Sequence, residues 1–199
     1  MKKLIVFIIL FFATSIYAGT LLQTSQSIVA KKRGSDVCTI LNDSSQYAPV
    51  DQDNDSTRTN TWQAMKFTLA AQTTITMYRT TICDEGVDAG HLDIVIMNHD
   101  AGNNYPDETS VVANSTATLA ASSISNCYPV GVNDLDMAST FVLSSGIYWV
   151  VQEEDGSAIK FARDGTGSTG DRRCMSEDSG STWTCYDNES VNIEVWGCN

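Results

Sequence analysis

The sequence is short of basic residues, histidines and long apolar runs, and each shortage excludes something. Only 12 Lys and Arg stand against 24 Asp and Glu, a formal charge of −12 over 199 residues. Nucleic-acid binding draws its affinity from Lys and Arg neutralising phosphates, so this balance excludes a nucleic-acid partner. Two imidazoles, His91 and His99, and no C-x-x-C pair leave no ligand set for structural zinc. Neither G-x-S-x-G nor H-E-x-x-H occurs, so the common nucleophile-elbow and zinc-peptidase signatures are missing. A blade-length internal repeat is missing too, which argues against a propeller. No window of helical length carries an i, i+3, i+4, i+7 apolar stripe, and Thr116 to Ser125 is the one stretch that fits a short helix.

What is present begins with an export signal. Lys2 and Lys3 precede nine apolar residues, Leu4 to Phe12, and Ala13-Thr14-Ser15 and Ile16-Tyr17-Ala18 follow with small residues for cleavage. The run is well short of the roughly 20 residues a membrane span needs. Residues 1–18 are therefore expected to be a signal peptide cut after Ala18, with no membrane insertion afterwards. The remaining 181 residues hold 10 basic and 24 acidic side chains, a formal charge of −14. The expected location is secreted, extracellular or on the cell surface.

Six cysteines survive cleavage, and an even count in an exported chain reads as a disulfide framework. Fifteen pairings are possible for six cysteines. Cys174–Cys185 would close a short loop, Cys38–Cys198 would join the first and last strands, and Cys83–Cys127 is left by elimination.

Period-two alternation dominates the body of the chain. Met65, Phe67 and Leu69 alternate with Lys66 and Thr68, and Ile75 and Met77 with Thr74, Thr76 and Tyr78. Leu92, Ile94 and Ile96 flank Asp93 and Val95. Ile147, Trp149 and Val151 form another inward set after the turn Ser144-Ser145-Gly146. Val191, Ile193 and Val195 alternate with Asn192, Glu194 and Trp196. Further strand candidates cover residues 36–40, 109–114, 139–143 and 158–163. Nine or ten strands without helices predict an all-β fold, a disulfide-stabilised two-sheet antiparallel sandwich of jelly-roll type, over residues 36–199.

Residues 19–35 stand apart as an N-terminal strand or arm. Leu21, Leu22, Ile28 and Val29 make them strand-like, and Lys31-Lys32-Arg33 holds three of the ten remaining basic residues. One reading is an ordinary first strand with a solvated turn. The other is a donor strand that adds to the sheet edge of a second copy, giving a homo-polymer, a filament or matrix.

Several of these segments resemble a broad group of secreted bacterial sandwich domains often labelled "choice-of-anchor". They are Ala64 to Leu69 with Ile75 to Tyr78, Gly90 to Ile96 with Pro106, and Phe141 to Val151 with its Gly146-Ile147-Tyr148-Trp149-Val150-Val151 stretch. The resemblance spans about residues 62–197. It implies an extracellular module with no agreed catalytic role. Ser176-Glu177-Asp178-Ser179-Gly180-Ser181-Thr182-Trp183 resembles the Asp-box, S-x-D-x-G-x-T-W, of sialidase-type propellers and other extracellular β proteins. In that motif the Asp accepts backbone N–H groups, the Gly takes a positive φ and the Trp packs beneath the turn. One copy bracketed by Cys174 and Cys185 implies a clamped hairpin rather than a sialidase.

The remaining candidates concern binding. Asp51, Asp53 and Asp55 alternate in a D-x-D-x-D loop that offers calcium several oxygens. The EF-hand template nevertheless fails, with Ser56 at its glycine position and Trp62 at its closing glutamate. A solvated acidic loop is the competing reading. Asp100 to Glu108 and Glu153 to Asp155 are further oxygen-rich turns. Trp62, at a strand mouth, and Trp196, at outward parity, are candidate platforms for stacking a surface glycan. Carboxylate pairs for glycoside hydrolysis are invisible in sequence because their separation is spatial. The sequence thus points to a secreted, non-enzymatic sandwich for extracellular structure, adhesion or surface binding. A filament subunit, a carbohydrate-binding module and a glycan hydrolase are the alternatives.

Overall fold

The computed structural model describes residues 38–42, 51–52, 61–84, 90–124, 131–155, 159–164 and 172–198. All of them lie in one compact unit, Lys32–Asn199. The signal segment, the arm with Leu21, Leu22, Ile28 and Val29, and the Asp53 and Asp55 positions lie outside the described residues, as does Cys127 and with it the Cys83–Cys127 pairing.

The strands are β1 (Cys38–Ile40), β2 (Asp51–Gln52), β3 (Trp62–Leu69), β4 (Thr73–Asp84), β5 (His91–Asp100), β6 (Tyr105–Val111) and β7 (Ala117–Ala120). They continue with β8 (Gly131–Leu143), β9 (Gly146–Asp155), β10 (Ile159–Asp164), β11 (Arg172–Ser176), β12 (Thr184–Asp187), β13 (Ser190–Val191) and β14 (Ile193–Cys198). The stretch Thr116 to Ser125, which fitted one short helix at most, holds in its described residues β7 followed by a single 3-10 turn, Ala121–Ser123. No i, i+4 stripe rewards a longer helix there, while pairing with β5 satisfies the backbone.

Two antiparallel sheets result. The first runs β1-β14-β4-β10-β13, with β2 on β10 and β8 on β4; the second runs β12-β11-β3-β9-β5-β6, with β7 on β5. The chain crosses repeatedly between them, which is compatible with jelly-roll winding. The inter-sheet core takes Met65, Phe67 and Leu69 from β3, Leu92, Ile94 and Ile96 from β5, and Ile75, Tyr78 and Ile82 from β4. It also takes Leu135, Phe141 and Leu143 from β8, and Ile193 and Val195 from β14. Burial of such side chains supplies roughly 1.5–3 kcal/mol each.

Two parity readings are corrected. On β4, Thr76 is an extra residue between the pairs Met77↔Trp196 and Ile75↔Gly197, a β-bulge. The bulge turns Tyr78 inward to full burial and Met77 to the opposite face. There the Tyr78 hydroxyl donates to the Ser115 carbonyl at 2.7 Å, and burial pushes its pKa well up. On β9, Val150 and half-buried Tyr148 face the core, whereas Ile147 is 41% exposed. Trp149 and Val151 belong to a second apolar cluster, with Ala64, Val95, Met97 and Cys174, on the far face of the second sheet. That sheet is covered on both faces.

Cys38 and Cys198 are register partners on β1 and β14 and form a disulfide; Cys174 and Cys185 do the same on β11 and β12. Both are pairings expected from the sequence, Cys174–Cys185 from its short loop and Cys38–Cys198 from the joining of first and last strands. They fit an oxidising compartment, and no helix among the described residues is long and apolar enough to cross a membrane.

Candidate functional site

The far face of the second sheet carries the most chemistry. Its cover comes from two hairpins. The β5–β6 hairpin turns at residues 101–104, where Asp100 caps its own turn. Its Oδ1 accepts from the Gly102 and Asn103 backbones at 2.8 and 3.3 Å, and its Oδ2 from the Asn103 amide at 2.7 Å. These bonds, led by the Asn103 side chain, hold the Asp100 carboxyl below the usual range. Lys66 Nζ and Arg172 Nε tie the tip to β3 and β11 through Asn104, at 3.4 and 3.1 Å.

The β11–β12 hairpin is built on the Ser176-to-Trp183 stretch. Asp178 Oδ1 accepts the Thr182 backbone N–H at 2.8 Å and Oδ2 the Thr182 hydroxyl at 2.7 Å. Ser176 Oγ donates to Asp178 and accepts the Gly180 N–H, each at 2.8 Å. The Thr182 hydroxyl, followed by its N–H and the Ser176 hydroxyl, lowers the Asp178 pKa. Gly180 sits at φ +88°, and a Cβ there would lie 2.5 Å from the Trp62 ring. Only glycine allows both that backbone conformation and that approach.

Where the hairpins meet they wall a pocket of about 200 Å³. Asp100, Tyr105, Asp107 and Glu108 come from one side, and Ser181 and Trp183 from the other. Among the described residues its lining holds three carboxylates and no cation. Asp107 is fixed by Thr109, whose N–H and hydroxyl donate to it at 3.1 and 2.7 Å. The Trp183 Nε1 is buried and has no hydrogen-bond partner among the described residues. The sequence marked Asp100 to Glu108 as oxygen-rich and assigned Trp183 to the hairpin. It gave no sign that the two would share a pocket, because that contact depends on both hairpins folding back over the sheet.

The glycan platforms read from sequence fare differently. Trp196 is 3% exposed, a correction: its Nε1 donates to Glu194 at 2.9 Å and the Arg79 guanidinium lies 5.4 Å from its ring. Outward parity failed as a guide because this part of the first sheet is covered on its outer face as well. Trp62 is half-buried beneath Gly180, with the Trp183 ring 6.4 Å away, and so packs under the hairpin while keeping part of its surface exposed. Of the D-x-D-x-D loop, only the backbone of Asp51, in β2, is described. No group of three or more His, Cys, Asp or Glu suited to a metal occurs among the described residues.

A second feature is an acid pair. Glu153 to Asp155 is strand rather than turn, and register sets Glu153 opposite Asp93 on this same face. Thr118 Oγ1 donates to Asp93, and His91 Nε2 lies 3.4 Å from it. Burial and then the Asp93 charge push the Glu153 carboxyl up to about 7. A folded-state pKa above the unfolded one stabilises at low pH, and that contribution is lost as pH rises through about 7. Glu153→Gln, neutral at every pH, should remove this loss. Solvent screening of a partly exposed group leaves about 1–2 kcal/mol, so the variant should melt about 3–6 °C above wild type near pH 8 and level with it only below the unfolded carboxyl value, near pH 4. Equal melting temperatures near pH 8 would refute the strain at this pair.

Comparison with protein-family models and with curated proteins finds no match for the chain. The site's chemistry therefore carries the functional reading.

Proposed function

We propose that the chain is a secreted, non-enzymatic β-sandwich acting in extracellular adhesion or surface binding, and that its contact point is the two-hairpin pocket. The observation that carries this is the pocket's construction. Both walls are fixed by their own side-chain hydrogen bonds before any ligand arrives, which lowers the ordering cost of binding.

The donor and acceptor inventory suits a glycan. Tyr105 and Trp183 offer apolar rings, and Asp100, Asp107 and Glu108 accept from hydroxyl groups. Described lining residues that include carboxylates and no cation disfavour sialic or uronic acids and favour neutral or amino sugars.

The test is a glycan array probed with the mature protein. Neutral or amino glycans should be retained, and Asp107→Asn or Glu108→Gln should weaken binding by about tenfold or more, the worth of a charge-assisted hydrogen bond. Glu108 is exposed, so melting temperature should not change with it. An array on which nothing binds, or binding untouched by both variants, rejects the pocket.

A further inference from the structure

Beneath the β5–β6 hairpin lies a contact that the binding reading does not use. The indole N–H of Trp149, a residue with no exposed surface, donates to Nδ1 of His99 at 3.0 Å, and the two rings stack with centroids 6.2 Å apart. His99 pairs with Pro106 across the hairpin, and the next pair out is Asp100 with Tyr105, both of which line the pocket. The hydrogen bond therefore joins the sheet to the base of the hairpin that forms one pocket wall.

An imidazole nitrogen accepts only while it carries a lone pair. We propose that His99 and Trp149 form a proton-operated latch, closed while Nδ1 is free and released when Nδ1 takes a proton from solvent. The proton occupies the lone pair, both ring nitrogens become donors, and the Trp149 N–H loses its acceptor inside the second apolar cluster. A buried donor left unpaired costs more than the bond was worth, so the hairpin base loosens.

The surroundings hold the latch closed at neutral pH. Partial burial and then the Lys66 ammonium on β3 disfavour an imidazolium, and together they outweigh the attraction of Asp100 on the same strand. From β6 the facing residue is Pro106, uncharged, with Asp107 next along. From β11, Arg172 reaches the hairpin tip through the Asn104 carbonyl while paired with Asp187 of β12. From β9 the contact is Trp149 itself. The charged groups on and near the hairpin are thus Lys66, Asp100, Asp107, Glu108 and the Arg172–Asp187 pair. A depressed imidazole pKa means that this stabilisation is complete above the ordinary value near 6.5. It is lost as pH falls through the folded-state value. An acidifying environment would open the pocket wall, a consequence that rests on the binding reading above.

The test needs no ligand. In the full-length protein, NMR follows the Trp149 indole proton and the exchange protection of the Asn104 amide, which donates to the Asp100 carbonyl at 2.8 Å. Both are recorded between about pH 7.5 and about pH 5, with protection corrected for intrinsic exchange. His99→Asn places a non-titrating acceptor oxygen at the δ position, and His99→Phe removes the acceptor. The indole resonance should move with the imidazole titration in wild type, and Asn104 protection should fall about fivefold, the worth of one net hydrogen bond. Neither should change with pH in His99→Asn, and protection should be low throughout in His99→Phe. An indole resonance that ignores the His99 titration, an imidazole that stays neutral across the range, or a wild-type pH response in His99→Asn would each overturn the latch. If the latch responds as stated but no glycan binds, the pocket reading fails by itself.

Discussion

Replacing Cys38 and Cys198 together with alanine should lower the stability of the folded protein by about 4–5 kcal/mol, the larger of the two disulfide effects. The bond joins residues 160 apart in sequence, whereas Cys174–Cys185 spans 11. On the loop-entropy account the stabilisation grows with the logarithm of the closed loop, to about 5 kcal/mol for the first and about 3 for the second. The native contacts around Cys38 do not depend on the sulfur bridge. Leu41 N–H donates to the Val195 carbonyl at 2.8 Å, and the Asn42 amide brackets β14, donating to Ile193 O at 2.6 Å and accepting from Val195 N–H at 2.7 Å. The variant should therefore keep a native far-UV spectrum while its urea midpoint falls. Measured beside a Cys174→Ala, Cys185→Ala variant, a smaller loss at Cys38–Cys198 would show that unfolded-state entropy does not govern these bridges.

A loss of about 3 kcal/mol is expected when Glu189 becomes alanine, because a buried cation then loses its partner. Arg173 is 1% exposed and faces the inter-sheet space from β11, opposite Met65. Its guanidinium donates to Glu189 Oε2 from Nε at 3.1 Å and from Nη2 at 2.7 Å, and to Gln63 Oε1 from Nη1 at 2.9 Å. The Tyr186 ring lies 4.6 Å away. Glu189 is 24% exposed, which sets the cost at the lower end of the range for a broken buried pair. Adding Arg173→Met should recover most of the loss, since an apolar side chain of similar length needs no counterion. A double variant no more stable than Glu189→Ala would show that the guanidinium matters for its packing on Tyr186 rather than for its charge.

The residues that made the fold legible were those whose strands alternate without interruption. Met65, Phe67 and Leu69, then Leu92, Ile94 and Ile96, then Val191, Ile193 and Val195 all face the core as period two requires. Cys174–Cys185 and Cys38–Cys198 followed from spacing and from the pairing of first and last strands. Tyr78 did not, because one inserted residue at Thr76 reverses everything beyond it, and a bulge has no local signature in a run of β-branched and polar residues. Trp149 and Trp196 misled for a different reason. Alternation says which side of a sheet a residue takes but not whether that side meets water, and both residues are covered. The same limit hid Arg173, an inward charge whose partner arrives from a loop 16 residues later. Of the site, the oxygen-rich turn and the Ser176-to-Trp183 hairpin could be read separately; their convergence and the Asp93–Glu153 pairing are products of register.

The double cover on the second sheet has a consequence for how this chain can vary. From Trp149 to Gln152, β9 has no residue with measurable exposure, so neither parity of that strand is free to change. A saturation scan read by folding stability should find β9 nearly intolerant from Trp149 to Gln152, while Asp107, Glu108 and Ser181 on the hairpin rims accept most substitutions without loss of the fold, whatever they cost in binding. Divergence in specificity would then be confined to the two hairpins, with the sandwich beneath them acting as an unvarying mount.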